Sequence, residues 1–426
     1  MSILLPNSVN YAEGHPSLPE GVVSTQITLS PANGSTFSAG GSVIQFDYLN
    51  RGFIEPQSIF LRYKYAMTTS ALGAEIIGTP VYTPFVRMET LIGSSVVESQ
   101  NQYNQNCNML VNLSTDVAGK FGLQASYNYG NGNLPLDTPT MSAMDGRTCV
   151  DDETGFMSGM LPGLLSNCEK LIPAFAMPQI RTQLTLDSIA NIFTSGATSI
   201  VPTVFTLSNV ELVYTMIDMG PQVESMVRSL GTFYIKSQSL VNSSVSLANA
   251  TSGSISLVFN QRLASVKSAF ILFTGTVVQS VNKWGDAWDP TQNSGEISIN
   301  VGGISYPQRP LSTITNKAGI LQYLRSATGS IYDKNNSLSI NSVEWNRTGI
   351  ATATTVVEPA KFFVGVNLEK IHGGALLTGI STQNSAITVL VSTTTPTAQA
   401  HTVNLILSYD ALIEINTDSK QVSVKQ

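Results

Sequence analysis

The chain is 426 residues long, 42% apolar and 12% charged, with a net charge of −6. The charged share is about half the usual ~25%, and Ser, Thr, Asn and Gln take the polar places instead. The length suits two or three domains with real cores, and the lack of any Lys/Arg-rich arm argues against binding nucleic acid through its phosphates.

Residues 1–24 read as an arm. They carry Pro and Gly but no core pattern, and the first 21 residues hold neither Lys nor Arg. Ile3, Leu4 and Leu5 form too short an apolar run for a secretory leader, and are expected to lie against a neighbouring chain. Strand patterns follow at Val22–Leu29, Val43–Tyr48 and Ile59–Tyr65, rich in Val, Ile, Phe and Tyr and separated by Gly, Pro, Asn and Ser clusters. Val97–Leu113 has a helical spacing through Tyr103, Cys107 and Leu110, and a further helix is expected between Leu161 and Leu171. Strands return at Val201–Leu207, Val210–Ile217, Ser254–Phe259, Ala269–Phe273 and Ile297–Val301. Lys317–Ser326 reads as a helix with Leu321 and Leu324 on one face, and Phe362–Val366, Ala386–Val391 and Val403–Leu407 close the series as strands. The sequence has no run of ~18 apolar residues that would span a membrane as a helix.

This series repeats once. Gly41-Ser-Val-Ile-Gln-Phe46 pairs with Gly253-Ser-Ile-Ser-Leu-Val-Phe259, Asn50-Arg51 with Asn260-Gln-Arg262, and Ser58-Ile-Phe-Leu61 with Ser268-Ala-Phe-Ile-Leu272. Gly93 and Gly303 precede the two main helix patterns, and Asn209-Val-Glu-Leu-Val-Tyr214 matches Asn404-Leu-Ile-Leu-Ser-Tyr409. The order is kept throughout, which points to a duplicated unit of about 200 residues. Many short strands per unit imply a β-sandwich, and helices placed in the loops suit a jelly roll. The expected organisation is an arm at 1–24, a first jelly roll at 25–220 and a second at 221–426.

Residues able to carry chemistry are scattered. Cys107, Cys149 and Cys168 contain no CxxC pair, which speaks against a disulfide framework or a Cys-based zinc site; they read as buried free thiols of a reducing compartment. His15, His372 and His401 fall in an arm, a loop and a strand start, form no HExxH or triad pattern, and are expected in surface or turn roles. Ala118-Gly119-Lys120 imitates the end of a P-loop, but Ser114 stands where the motif needs its first glycine. The glycine-rich run from Tyr129 to Pro135 reads as a turn. Asp145, Asp151, Asp152 and Glu153 lack the spacing of a calcium loop and read as solvated. Trp284 and Trp288 would either anchor a loop on a barrel or form a sugar-stacking platform. The expectation is therefore a protein with no catalytic, metal or cofactor site, and not an enzyme.

Four stretches carry a resemblance. They are Asn50-Arg-Gly-Phe-Ile-Glu-Pro-Gln-Ser-Ile-Phe-Leu-Arg62, the strand and helix from Phe85 to Asn104, the pair Pro178–Leu186 with Ser208–Tyr214, and the closing set Gly365–Lys370, Leu377–Thr382 and Tyr409–Ile415. In order and over nearly the whole chain they resemble the double jelly-roll major capsid proteins of DNA viruses, the group of nucleocytoplasmic large DNA viruses, virophages and polinton-like viruses. The loops are shorter than in the larger members, which argues against a tall outer tower. The resemblance implies an all-β fold of two tandem eight-stranded jelly rolls. It also implies a homotrimer with a pseudo-hexameric outline that tiles an icosahedral shell and resides in the virion after assembly in the host cell. Implied partners are the chain itself, neighbouring capsomers, and penton, minor capsid or cement proteins, with no direct nucleic-acid contact; an inner viral membrane is compatible with a chain lacking a transmembrane segment. The competing readings are a minor or penton capsid protein and a tandem β-sandwich carbohydrate-binding or adhesion protein.

Overall fold

The computed structural model describes residues 21–68, 74–127, 146–148, 154–195, 202–248, 252–275, 287–329, 360–370, 377–395 and 400–426, with isolated positions between them. The main strands of the first half are β1 (Val23–Leu29), β2 (Val43–Asp47), β3 (Phe60–Thr68), β4 (Phe85–Ile92), β5 (Ser95–Asn101), β6 (Thr154–Met160), β7 (Ile180–Leu186) and β8 (Val204–Asp218). Those of the second half are β9 (Thr232–Leu247), β10 (Gly253–Phe259), β11 (Val266–Gly275), β12 (Gly295–Val301), β13 (Ile304–Ser312), β14 (Phe363–Asn367), β15 (Ile387–Thr393) and β16 (His401–Asn416), followed by β17 (Gln421–Lys425). Four helices matter here: α1 (Tyr103–Ser114), α2 (Val117–Tyr127), α3 (Gly220–Arg228) and α4 (Lys317–Ala327).

The pairings make two sandwiches of one pattern. In the first, one sheet runs β1-β8-β3-β6 and the facing sheet β2-β7-β4-β5. In the second, the sheets run β9-β16-β11-β14 and β10-β15-β12-β13, the same order with every strand advanced by eight. All these pairs are antiparallel. Apart from the β4–β5 and β12–β13 hairpins, neighbours within each sheet come from distant parts of the sequence, as interleaved Greek keys require. The sequence repeat is thus a repeat of topology.

Period-2 patterning builds each sandwich. On β3, Leu61, Tyr63, Tyr65 and Met67 are buried while Arg62 points outward; on β7, Ile180, Thr182, Leu184 and Leu186 are buried. Buried tyrosines keep their hydroxyls satisfied, as Tyr63 does by donating to the Val81 carbonyl at 2.8 Å. The repeated glycines Gly93 and Gly303 sit in the β4–β5 and β12–β13 hairpin turns at φ of 64° and 84°, a left-handed backbone that glycine adopts at no steric cost.

Several sequence expectations change. The helix expected at Val97–Leu113 begins only at Tyr103, because Val96, Val97 and their neighbours belong to β5. No α-helix forms between Leu161 and Leu171; turns occupy that stretch, and the Ser166 hydroxyl ties them by accepting from Gly163 N–H at 2.9 Å. The two strands expected at Val201–Leu207 and Val210–Ile217 are one strand, β8, with a bulge where Asn209 takes φ of 48°. β9 pairs along its whole length with β16, yet its Ser/Asn-rich sequence gave no strand signal. β13 was hidden by Pro307 and Pro310, which an edge strand tolerates.

The outer face of the β9-β16-β11-β14 sheet carries an apolar patch of its own, beside polar residues such as Asn404 and Ser408. Leu240, Ile406, Phe270, Leu272 and Phe363 lie there, buried under α1 and α4. α4 starts at Asn316, whose side chain accepts from the Gly319 N–H at 2.9 Å, and it rests on Gly365 of β14. A Cβ at Gly365 would meet Leu324 Cδ1 at 2.8 Å and Ala327 Cβ at 3.1 Å. Gly365→Val should therefore lift α4 from the sheet and cost about 1–3 kcal/mol by overpacking, read as a lower urea midpoint; an unchanged midpoint would contradict this packing.

Candidate functional site

The residues singled out for chemistry do not converge. His15, His372, Cys149, Trp284, the run from Tyr129 to Pro135, the acidic cluster of Asp145, Asp151, Asp152 and Glu153, and the arm residues Ile3, Leu4 and Leu5 lie outside the described residues. Cys107 and Cys168 are free and buried, as expected. Burial raises both thiols, that of Cys168 to about 12, so neither supplies a thiolate near neutral pH. Lys120 is no phosphate ligand: it is buried, and its Nζ donates to Asn112 Oδ1. Trp288 is buried too, so its ring offers no platform to a sugar. Among the described residues, no group of three or more His, Cys, Asp or Glu is placed to hold a metal ion.

His401 is a correction. The expected surface or turn role fails, because the side chain is buried on β16. Loss of hydration lowers its pKa to about 4.

What the fold does assemble is a polar seam between the two sandwiches. β5, α1 and the 163–169 turn of the first meet β9 of the second. Glu98, 2% exposed, is its centre. Its carboxylate accepts from Thr90 Oγ1 and Gln100 Nε2, each at 2.8 Å, from the Leu164 N–H at 2.9 Å, and from Ser239 Oγ across the seam. A buried carboxylate needs such donors to offset lost hydration. Asn242 Nδ2 donates to Gln105 Oε1 at 3.1 Å and to Asn106 Oδ1 at 3.2 Å. The Glu169 N–H reaches the Lys236 carbonyl at 3.0 Å, and Lys361 Nζ donates to Asn112 Oδ1 at 2.9 Å. Beside these contacts Met109 and Leu113 of α1 cover the apolar outer face of the second sandwich.

A polar cavity of about 280 Å³ opens at the head of α1, lined by Gln102, Asn104, Asp187 and Asn404 among others. Its carboxylate is already engaged: Asp187 accepts from Ser188 N–H at 2.7 Å, Asn191 Nδ2 at 2.9 Å and Asn104 Nδ2 at 3.2 Å. The group is held as a structural acceptor that ties its loop to the head of α1.

No family model matches the sequence, and no curated protein matches it. Solved structures do match it along its whole length. PBCV-1 VP54, as fitted into a cryo-EM reconstruction of the virophage Sputnik, superposes with a TM-score of 0.62 at 9% identity, over 97% of this chain and 98% of that one. The Faustovirus major capsid protein gives 0.60 at 10% identity over 97% and 93%, and the mavirus major capsid protein 0.56 at 10% identity over 100% and 95%. The fold is a double jelly roll. As a double jelly roll, the chain joins its two barrels through hydrogen bonds and helix packing, with Glu98 and α1 as the links that the sequence pattern did not reveal. The one sequence hint was the helical spacing that runs on from β5 into α1.

Two outcomes follow. Glu98→Ala should destabilise the fold by about 2–4 kcal/mol, since it strands several buried donors, and Glu98→Gln by less; calorimetry or urea unfolding reads both. Because His401 titrates near 4 when folded and near 6.5 when unfolded, the unfolded chain binds the extra proton between those values. Stability should be complete above about pH 6.5 and fall by about 3 kcal/mol as pH drops toward 4, and His401→Gln should flatten that part of a pH series of urea midpoints.

Proposed function

We propose that this chain is a viral major capsid protein. It is a structural subunit, not an enzyme, that trimerises into a pseudo-hexameric block and tiles an icosahedral shell. The observation that carries the reading is the end-to-end match: capsid proteins of several viruses share both barrels with it and leave almost none of either chain uncovered. In this reading the units are an arm at 1–24 and barrels at 25–220 and 221–426, and the partners are further copies, with penton, minor capsid or cement proteins completing the shell.

The physical chemistry supports the same reading. A shell protein needs rigid sandwiches and broad sides, not a reactive centre. The low share of charged residues lowers both like-charge repulsion and the cost of desolvating ions when copies meet. Two similar barrels in one chain let a three-fold trimer present six similar flanks, and closed symmetric association builds the shell. The virion is then its place of residence.

The test is the native mass of the purified chain together with electron microscopy of the same sample. A compact trimer with a six-lobed outline is expected. A stable monomer at micromolar concentration, with no assembly in the presence of other capsid components, would remove the proposal.

A further inference from the structure

Two buried lysines converge on one amide in the seam. Asn112 of α1 is 1% exposed, Lys120 of α2 is 3% and Lys361, just before β14, is 2%. Lys120 Nζ donates to Asn112 Oδ1 at 2.5 Å, and Lys361 Nζ donates to the same oxygen at 2.9 Å. The amide has one orientation that suits its neighbours. Its Nδ2 donates to the Asn108 carbonyl at 2.9 Å, one turn back on α1, and lysines need an acceptor. Asn108 is fixed in turn by Thr79, whose hydroxyl donates to its Oδ1 at 3.0 Å. Lys361 is fixed through its backbone. On either side of it the Ala360 carbonyl accepts from Ala287 N–H at 2.8 Å, and Phe362 N–H donates to the Ala287 carbonyl at 2.9 Å.

The setting is apolar. Leu113 follows Asn112 on α1, Ala287 pairs with the backbone beside Lys361, and Phe363 lies two residues further on; all three belong to the cluster under α1 and α4. Away from water, a hydrogen bond to a carbonyl oxygen polarises the carbonyl strongly and leaves its carbon electrophilic. An amine held about 3–3.5 Å from such a carbon is at reacting distance. Asn112 Cγ lies one C=O bond from the oxygen that Lys361 contacts. These three side chains supply the parts of an acyl transfer: an amide, an amine, and a cation at the oxygen where negative charge develops.

We infer that Lys361 and Asn112 form an isopeptide bond, a covalent staple from α1 of the first barrel to the second barrel. In the step, Lys361 enters as the free amine and its Nζ adds to Asn112 Cγ. Negative charge gathers on Oδ1, where the Lys120 ammonium donates. A proton passes from the attacking nitrogen to Nδ2, the Cγ–Nδ2 bond breaks, and ammonia leaves. One C–N bond forms and one breaks, and nothing is oxidised or reduced. Lys120 makes the shorter contact, a charge-assisted hydrogen bond, and so is the cation that stays on the oxygen while Lys361 attacks. The bond joins positions 249 residues apart. It would hold the barrels together even where the hydrogen bonds around Glu98 are broken, and it does not depend on the capsid reading.

Mass spectrometry of the intact, purified chain tests this, after incubation in mildly alkaline buffer, where a larger share of lysine is free amine. The expected mass is lower than that of the sequence by one ammonia, about 17 Da. A tryptic digest should contain one linked species that carries both Asn112 and Lys361. Asn112→Ala and Lys361→Arg should each keep the full mass and lose the linked species. Lys120→Met should slow its appearance by about a hundredfold, the usual effect of removing one donor from a developing oxyanion. The parent chain gives the answer by itself, so a variant that fails to fold does not blunt the test. A parent chain that keeps its full mass, or a loss that maps to any other pair, Lys120 with Asn112 included, would overturn the inference.

Discussion

The outer face of the second barrel's β9-β16-β11-β14 sheet carries an apolar patch, and it has to be kept from water. Leu240, Phe270, Leu272, Phe363 and Ile406 would otherwise form a broad exposed patch. The chain covers them with two helices from different halves, α4 from the same barrel and α1 from the other. Each large apolar side chain so buried is worth about 1.5–3 kcal/mol relative to exposure. The coupling of the two barrels into one block therefore begins with a hydrophobic face that one barrel cannot cover alone.

Polar groups refine that join. The Glu98 carboxylate, Ser239 and the Asn242 amide are specific about geometry, since each lone pair or N–H left unmatched in a buried seam is costly. Apolar packing would tolerate a slide of one barrel along the other; the Glu98 hydrogen bonds, reaching Leu164 N–H and Ser239 together, would not. This division of labour suits a protein whose surface is poor in charge. Exposed ion pairs such as Arg62 with Glu211 contribute little, so orientation is fixed by buried neutral donors around one carboxylate.

The two barrels repeat one topology, and a single join inside the chain holds them together: β5 and α1 of the first barrel against β9 and the outer sheet face of the second. The buried thiols of Cys107 and Cys168 and the neutral imidazole of His401 serve as packing groups.

The sequence determined a good part of this. Alternation in stretches such as Val43–Tyr48 and Ile59–Tyr65 specifies strands with one buried face, because successive side chains point to opposite sides of a pleated sheet. The ordered recurrence of Gly, Asn-Arg and Ser-x-Phe elements specified two copies of one unit, and the low charge suited dense association. The tertiary structure alone decided what lies beyond each sheet's outer face. Period-2 patterning says which side chains share a side, and nothing about the neighbour that the side will meet. So β9 went unrecognised, because Ser237, Ser239 and Asn242 look solvated in sequence yet are buried against the first barrel. The bulge at Asn209 looked like a turn because its left-handed backbone is the same local feature in both settings. Glu98, an ordinary surface residue by composition, became the centre of the seam only when folding brought Leu164 and Ser239 to it from 66 and 141 residues away.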